Sequence, residues 1–533
     1  MHQGGQERND AAALNERLAL TVPATAQTVL QIGSGQGWLV DELKRRHPAP
    51  VLYGADSPGR GAAPRDGLDG YFEIDLDHEV PPLERGSVDC IVYADSLPRV
   101  VDPLALVTRL GPLLSTSGTI SCSVPNLQHH SVVGGLVRGV FPYSAGTLLD
   151  PTYLRLFTAS SIMQLLLDAG YAPDTADRIE DEGATAMVSA GAPLFELLGV
   201  GAADAERDLR TARLLMRGYP LPDPGSSDEI PITFVACVND DEQLAANLGR
   251  SPCLRDPGPH ELLVFRDCAS AAEGLNAGID QARNELVVLV HQDVYVPAGW
   301  PARLGAQWRL AQAQGGPVGI AGVFGVLDRR VPFDAIGRVV HRDRLLSHRS
   351  LPADVDGLDE LLMVVPRDTP LRVDATLGWH LYGTDLALQA QQRDLRVVVL
   401  DAPCHHNSLT GRVPWKYRES ERVLARKWEK LLPIHTNLSS IGSWLIDGPD
   451  GPDTPDGPDA PDDSDSSGDV DEDGAAGVSP TVAALVTGLR REQGALHAEL
   501  EQARLQVASM QQSPFWRARE IYAGFRHRLS RRR

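Results

Sequence analysis

Val29-Leu30-Gln31-Ile32-Gly33-Ser34-Gly35-Gln36-Gly37 starts as an apolar run and ends in three glycines at alternate positions. The run reads as a buried strand. The glycines permit positive φ and let a ligand approach the backbone. The following stretch, Trp38–Arg46, has helical periodicity, so its first amides can face whatever the turn cradles. Working outward, strand-like runs recur at Val51–Ala55, Tyr71–Ile74, Val88–Tyr93 and Thr119–Val124, with helical stretches such as Pro103–Leu114 between them. This alternation predicts a parallel sheet covered by helices. A second alternating series begins at Ile230, with strands expected at Ile232–Val238, Glu261–Arg266, Leu286–His291, Val318–Val323 and Val397–Asp401. The fold class is therefore α/β, with two domains.

Composition sets limits on function. The 533 residues carry a formal charge of −21, distributed unevenly. Residues 447–473 hold twelve acids and no base, and residues 479–533 hold ten Arg against four acids. An acidic body argues against a general nucleic-acid binder, which must neutralise phosphates. The six cysteines form no C-x-x-C pair and read as reduced core residues. The first twenty residues lack the apolar core of a signal peptide, and no run reaches the length of a membrane span. A cytoplasmic location is expected, with any membrane contact peripheral.

The first segment resembles the class I S-adenosylmethionine-dependent methyltransferases over roughly residues 28–190. The resemblance rests on Gly33-x-Gly35-x-Gly37, Asp56 after the second strand, Asp75 after the third and Asp89–Leu97 on the fourth. Leu113–Gly118, Ser123-Val124-Pro125-Asn126, Asp150–Thr158 and Ala169-Gly170-Tyr171 extend it. It implies a Rossmann-like fold with S-adenosylmethionine as cofactor. Gly33 and Gly35 would cradle its methionine part, Asp56 would bind ribose, Asp75 would lie near adenine, and Gly37 and Asp95 would complete the cofactor site. Three positions depart from the family pattern. Gln31 stands where an acid is usual, Pro98-Arg99 where Glu-His is usual, and Tyr153 where His is common. An active methyltransferase and a fold kept for binding both remain open.

In the second segment, polar residues follow each strand: Asn239-Asp240, Arg266-Asp267, and His291-Gln292-Asp293. Strand ends of this kind form a ligand crevice, and an Asp leaving a buried strand suits a divalent cation. Residues 230–440 resemble bacterial family-2-like glycosyltransferases of the GT-A fold, in a subgroup whose metal motif reads His-Gln-Asp. Cys237–Asp240, Arg266–Ser270, Gly274-Leu275-Asn276, Val290–Val294, Leu358-Asp359-Glu360, Gly378–Asp385 and His405–Ser408 carry this resemblance. It implies a nucleotide-diphosphate sugar donor and a glycan or lipid-linked acceptor, with inversion at the sugar carbon. Asn239, Asp240, Arg266, Asp267, Asn276 and Gln292 would contact the nucleotide sugar. Asp293, with His291 and His406, would hold Mg²⁺ or Mn²⁺, and Asp385 would be the catalytic base. An ion pair for Arg266 and a structural turn at His405-His406 stay open as alternatives.

The expected organisation is a leader at 1–27, the methyltransferase-like domain at 28–190, a helical connector at 191–229 and the glycosyltransferase domain at 230–446. A disordered acidic linker follows at 447–478, with five prolines at period three from Pro449. A coiled coil is expected at 479–512, its seam running from Val482 through Leu489, Leu496 and Leu500 to Met510 with Gln493 as a polar interruption. It would self-associate. Residues 513–533 interleave seven Arg with aromatic residues, which suits an anionic membrane surface or an acidic partner. The whole reads as a glycosyltransferase of surface or secreted glycan synthesis with a methyltransferase domain. Its rivals are a chain whose first domain has lost its chemistry, and a non-catalytic nucleotide-binding assembly protein.

Overall fold

A computed structural model describes residues 14–33, 38–46, 50–59, 67–197, 200–221, 230–255, 258–342, 344–348, 350–408, 416–443 and 445. Gly35, Gly37, the acidic linker, the coiled coil and the basic tail lie outside the described residues.

The first body is built on seven strands: β1 (Thr28–Ile32), β2 (Val51–Asp56), β3 (Gly70–Glu73), β4 (Val88–Ala94), β5 (Leu114–Pro125), β6 (Tyr171–Glu180) and β7 (Thr211–Pro220). Their order is β3-β2-β1-β4-β5-β7-β6. The chain starts at β1, runs outward to β3, then returns to β4 on the other side of β1. The strand order therefore reverses between β1 and β4, where a ligand crevice opens at the carboxyl edge. Alternate residues of β1 feed opposite faces, with Leu30 and Ile32 in one core and Val29 in the other.

One element departs from the sequence expectation. The stretch around Ala202–Arg217, expected as helix within a connector, is a helix only over Ala202–Arg210; Thr211–Pro220 is β7. This strand lies antiparallel between β5 and β6 and completes the sheet. Leu214, Leu215 and Met216 are all buried there, because a central strand is covered on both faces. An apolar run flanked by arginines looks the same whether a helix or a strand will bury it.

The second body has the sheet order β16-β19-β12-β18-β10-β8-β9. Its strands are β8 (Ile232–Val238), β9 (Glu261–Arg266), β10 (Leu286–Val290), β12 (Val318–Gly322), β16 (Ala353–Asp354), β18 (Leu362–Pro366) and β19 (Arg396–Val399). In β10, Val287 and Leu289 join one core while Leu286, Val288 and Val290 join the other. The antiparallel β18 at the centre was not expected. A smaller sheet is made of β11 (Val294–Tyr295), β13 (Phe324–Val326), β14 (Ala335–His341), β17 (Gly357–Leu358) and β20 (His405–His406), in the order β11-β20-β14-β13-β17. None of the six cysteines is in a disulfide. No helix among the described residues is long and apolar enough to cross a membrane.

The helix Ala271–Gln281 packs flat on β8 through glycines. A Cβ at Gly278 would lie 2.1 Å from Val235 Cγ1, and one at Gly274 would lie 2.5 Å from Cys237 Sγ. Alanine at Gly278 gains about 1 kcal/mol of helix propensity but forces an overpacked contact costing about 1–3 kcal/mol. Gly278→Ala is expected to lower the denaturant midpoint of the second body; an unchanged or raised midpoint would show that the helix can lift off β8.

Candidate active sites

The first site forms at the reversal between β1 and β4. Gly33 ends β1 with φ +78°, and a Cβ there would sit 3.0 Å from the Ala94 carbonyl oxygen. Only glycine turns the chain so close to β4. Gly33, Asp56, Ser57, Asp95, Arg99 and Thr152 are among the residues lining a cavity of about 440 Å³. Three of the expected cofactor residues, Gly33, Asp56 and Asp95, are therefore brought together. Asp56 is buried and also acts on Tyr71, whose phenol is pushed up by burial and then by the Asp56 carboxylate. Leu76, rather than Asp75, lines the cavity. Asp75 is exposed, accepting from the Asp77 amide at 3.0 Å and pairing with His78 at 2.8 Å.

Asp95 is held tightly. Ser123 Oγ donates to it at 2.7 Å, Tyr153 OH lies at 3.4 Å, and Arg213 forms a direct ion pair. Arg213 comes from β7, the strand unforeseen in the sequence. Arg99 stacks 4.9 Å over the Tyr153 ring and donates to Thr152. The Tyr153 phenol is pushed up to about 12 by burial, with the Asp95 charge adding. Two of the departures from the family pattern, Arg99 and Tyr153, thus meet on one wall. The third, Gln31, is buried at the base of the glycine turn, where its Nε2 donates to the Gly33 carbonyl at 3.2 Å.

The second site is assembled by β10, β11 and β20. His291 and Asp293 follow β10. Two-residue pairing sets Val294 opposite His406 and Tyr295 opposite His405. His291, Asp293 and His406 consequently present ligand atoms within 4.8 Å of one another. Asp293 Oδ1 is buried without a well-aligned hydrogen bond and lies 3.4 Å from His406 Nε2. Burial alone would raise this carboxyl, but His406, and then His291, hold it down to about 2. Burial lowers His406, yet its bond to Asp293 leaves it raised on balance; burial lowers His291. Tyr382 OH lies 3.1 Å from His291 Nε2, and His341 Nδ1 lies 3.3 Å from His406 Nδ1. Tyr382 lies in the stretch Gly378–Asp385 with no role assigned to it there, and no motif includes His341. His405 points elsewhere, with Nε2 2.8 Å from the Arg342 carbonyl, and burial lowers it to about 4.

The expected nucleotide contacts divide. Gln292 clamps the loop after β8, accepting from the amides of Asn239 and Asp240 at 3.0 and 3.1 Å and donating to Asn239 Oδ1 at 2.6 Å. Asp240 caps the next helix through the amides of Glu242 and Gln243. Arg266 pairs with Asp241 at 2.6 Å, the ion-pair alternative. Asn276 exchanges two 2.9 Å bonds with the Val373 backbone, so its amide is occupied. Asp267, exposed with φ +54°, stands at the carboxyl end of β9.

The expected base lies in the interior. Asp385 is fully buried. Its carboxylate accepts from Trp428 Nε1 and Gln389 Nε2, each at 2.8 Å, and pairs with Lys427 at 2.9 Å. With both oxygens occupied and no exposed surface, it cannot take a proton from an acceptor in this arrangement. Glu360 is a different carboxyl group, pushed up to about 8 by burial and then by Asp359, against the Leu381 amide that donates to it.

Residues 5–176 match the family described as "Methyltransferase domain", and residues 233–428 match the "Glycosyltransferase like family". The chain joins a methyltransferase domain to a glycosyltransferase-like domain. Solved structures similar to it include S-adenosylmethionine-dependent methyltransferases from Thermotoga maritima (14% identity, covering 40% of this chain and 91% of that chain, TM-score 0.28) and Archaeoglobus fulgidus (15%, 40% and 94%, TM-score 0.30). The plantazolicin methyltransferase BpumL in complex with SAH is another (18%, 41% and 89%, TM-score 0.28). No curated protein matches the chain.

Glu360 in the glycosyltransferase-like domain yields a signed pH dependence. Its folded-state value lies above the ordinary 4.5. Between about pH 5 and 8 the folded chain therefore holds a proton that the unfolded chain has lost, and stability falls as pH rises. Glu360→Gln is expected to flatten that decline when denaturant midpoints are measured across the window. A parallel slope in the variant would assign the decline to other groups.

Proposed function

We propose that the glycosyltransferase-like domain transfers a sugar from a nucleotide-diphosphate donor to a hydroxyl acceptor of a surface or secreted glycan, with inversion at the sugar carbon. We propose further that the methyltransferase domain binds S-adenosylmethionine in the cavity of Gly33, Asp56 and Asp95. The observation that carries the first reading is the meeting of His291, Asp293 and His406 around a buried carboxylate oxygen lacking an aligned donor. This set fits a divalent cation, and two imidazoles beside one carboxylate favour Mn²⁺ over Mg²⁺. When bound there, the ion offsets negative charge developing on the leaving diphosphate.

The chain's own residues divide the rest. Gln292 fixes the loop on which Asn239 and Asp240 stand, and Asp267 at the next strand end is placed to meet the base of the nucleotide. As the acceptor oxygen bonds to the sugar carbon, its proton passes to a carboxylate and the carbon–diphosphate bond breaks. For Asp385 to take that proton, Lys427 must first release it. In the methyltransferase domain, the Gly33 turn leaves room for the methionine part and Asp56 accepts from ribose hydroxyls. S-adenosylmethionine supplies an electrophilic methyl group. The ion pair between Asp95 and Arg213 favours a second reading, in which this domain binds the cofactor without transferring its methyl.

Calorimetric titration of the full chain with S-adenosylhomocysteine, and with nucleotide-diphosphate sugars in Mn²⁺, separates these readings. Asp56→Ala is expected to weaken S-adenosylhomocysteine by about 10-fold or more, the scale of a hydrogen bond to a charged group, and to spare nucleotide binding. Asp293→Ala should do the reverse. Asp385→Asn should keep donor binding and lose about 10²–10⁴-fold in transfer if the carboxylate is the base. A near-normal transfer rate would leave Asp385 as a buried partner of Lys427. Binding of neither ligand by the parent would leave the assembly-protein reading.

A further inference from the structure

A second convergence of ligand atoms lies in the methyltransferase domain, away from the Gly33 cavity. His129, His130 and Asp181 present theirs within 4.8 Å of one another. His129 Nε2 is 2.9 Å from Asp181 Oδ2, and His130 Nε2 is 2.8 Å from Asp181 Oδ1. The three come from two separate stretches of chain. His129 caps the helix His130–Val137 and His130 is its first residue, while Asp181 follows β6. β5 and β6 both run antiparallel to the intervening β7, so they are parallel to each other. β5 is also parallel to β4, and β4 to β1. The residues following β5 and β6 therefore stand on the same edge of the sheet as the glycine turn after β1.

From these positions we propose that His129, His130 and Asp181 form a divalent transition-metal site, of the class that takes Zn²⁺ or Co²⁺, on the ligand-binding edge of the methyltransferase domain. Two imidazole nitrogens and one carboxylate are the three-ligand set of open zinc sites, in which water or substrate completes the coordination. Ligand atoms about 2.0–2.2 Å from one ion stand roughly 3.3–3.5 Å apart, so Asp181 need withdraw by only about half an ångström. It can do so because its side chain is about half exposed, whereas those of His129 and His130 are largely enclosed.

The surroundings suit ligation. Ser131 Oγ lies 2.8 Å from His129 Nδ1, closer than the Ser131 amide at 3.4 Å. In this arrangement Nδ1 accepts from the Ser131 amide as the helix cap; a metal on Nε2 would shift the ring proton to Nδ1, where Ser131 Oγ is within reach to accept it. This second contact fixes ring and tautomer. The Gly183 amide donates to Asp181 Oδ1 at 2.9 Å, holding the carboxylate from behind. A Cβ at Gly183 would stand 2.5 Å from His130 Cε1, so the turn behind Asp181 closes directly onto that ring. The cluster opens to solvent on the side of Asp181, on the edge where an acceptor hydroxyl or amine would approach the methyl group. That role rests on the methyl-transfer reading; the metal site does not.

The test uses the full chain, freed of metal, with Co²⁺ as the probe. Asp293→Ala with His406→Ala removes the other candidate cluster. In that background one Co²⁺ per chain is expected, with the intense visible absorption of low-coordinate cobalt. The signal should vanish on adding His130→Ala or Asp181→Ala, and Ser131→Ala should weaken binding by about 10–100-fold. No bound Co²⁺ in the background protein, or stoichiometric binding that survives both His130→Ala and Asp181→Ala, overturns the proposal and leaves a hydrogen-bonded triad. Titration with S-adenosylhomocysteine in the same proteins keeps the two readings apart. Cobalt bound without the cofactor product refutes only the methyl-transfer reading, and cobalt lost while that product still binds locates the metal outside the cofactor cavity.

Discussion

Two residues of antiparallel ladder hold the second site together. Val294 faces His406 and Tyr295 faces His405, and the Asn407 amide donates to the Asp293 carbonyl at 2.9 Å. Without this pairing, His406 and Asp293, more than a hundred residues apart, would have no reason to meet. A strand pair this short supplies few hydrogen bonds and must be supported from outside. β14 supports it on one side, pairing in parallel with β20. The methyltransferase domain supports it on the other: the Tyr295 hydroxyl donates to Asp168 at 2.9 Å, and the Ala298 amide donates to the same carboxylate at 3.0 Å. Asp168 ends the helix Ala159–Asp168, where the dipole disfavours a negative charge, and burial raises it further. Its donors oppose that rise.

The first site depends in the same way on an element distant in sequence. β7 enters the sheet last, yet it supplies Arg213 to Asp95 across the cavity edge. A carboxylate that would otherwise face an open cavity is neutralised from within. Tyr153 and Arg99 then pack against the pair.

Much of the fold was legible because strand and helix periodicities differ and because glycine turns punctuate them. Ile232–Val238 and Glu261–Arg266 fell where their apolar patterns placed them. β7 and β18 did not, since Arg213–Met216 and Leu362–Val365 are short apolar runs that suit a strand or a buried helix equally. Strand-end position and resemblance pointed to Gly33, Asp56, Asp293 and His406, and the fold brings the first two to one cavity and the last two to one cluster. Arg213, Tyr382 and His341 were not legible, because each reaches its partner across a sheet whose order no local pattern encodes. Gln292, Asn276 and Asp385 looked like ligand contacts. In the fold their polar atoms are taken up by backbone amides, a backbone carbonyl and a lysine, and a sequence does not reveal which groups are already satisfied.

Val340, on a strand of the glycosyltransferase-like domain, is buried in the same apolar cluster as β4 and β5, with Leu345 packed beside it. The two domains therefore meet through an apolar contact as well as through the bonds to Asp168. If the polypeptide were severed between residues 221 and 230, each fragment would carry a cut apolar face complementary to the other. Covalent linkage then acts chiefly as a high effective concentration, on the order of millimolar for a short tether.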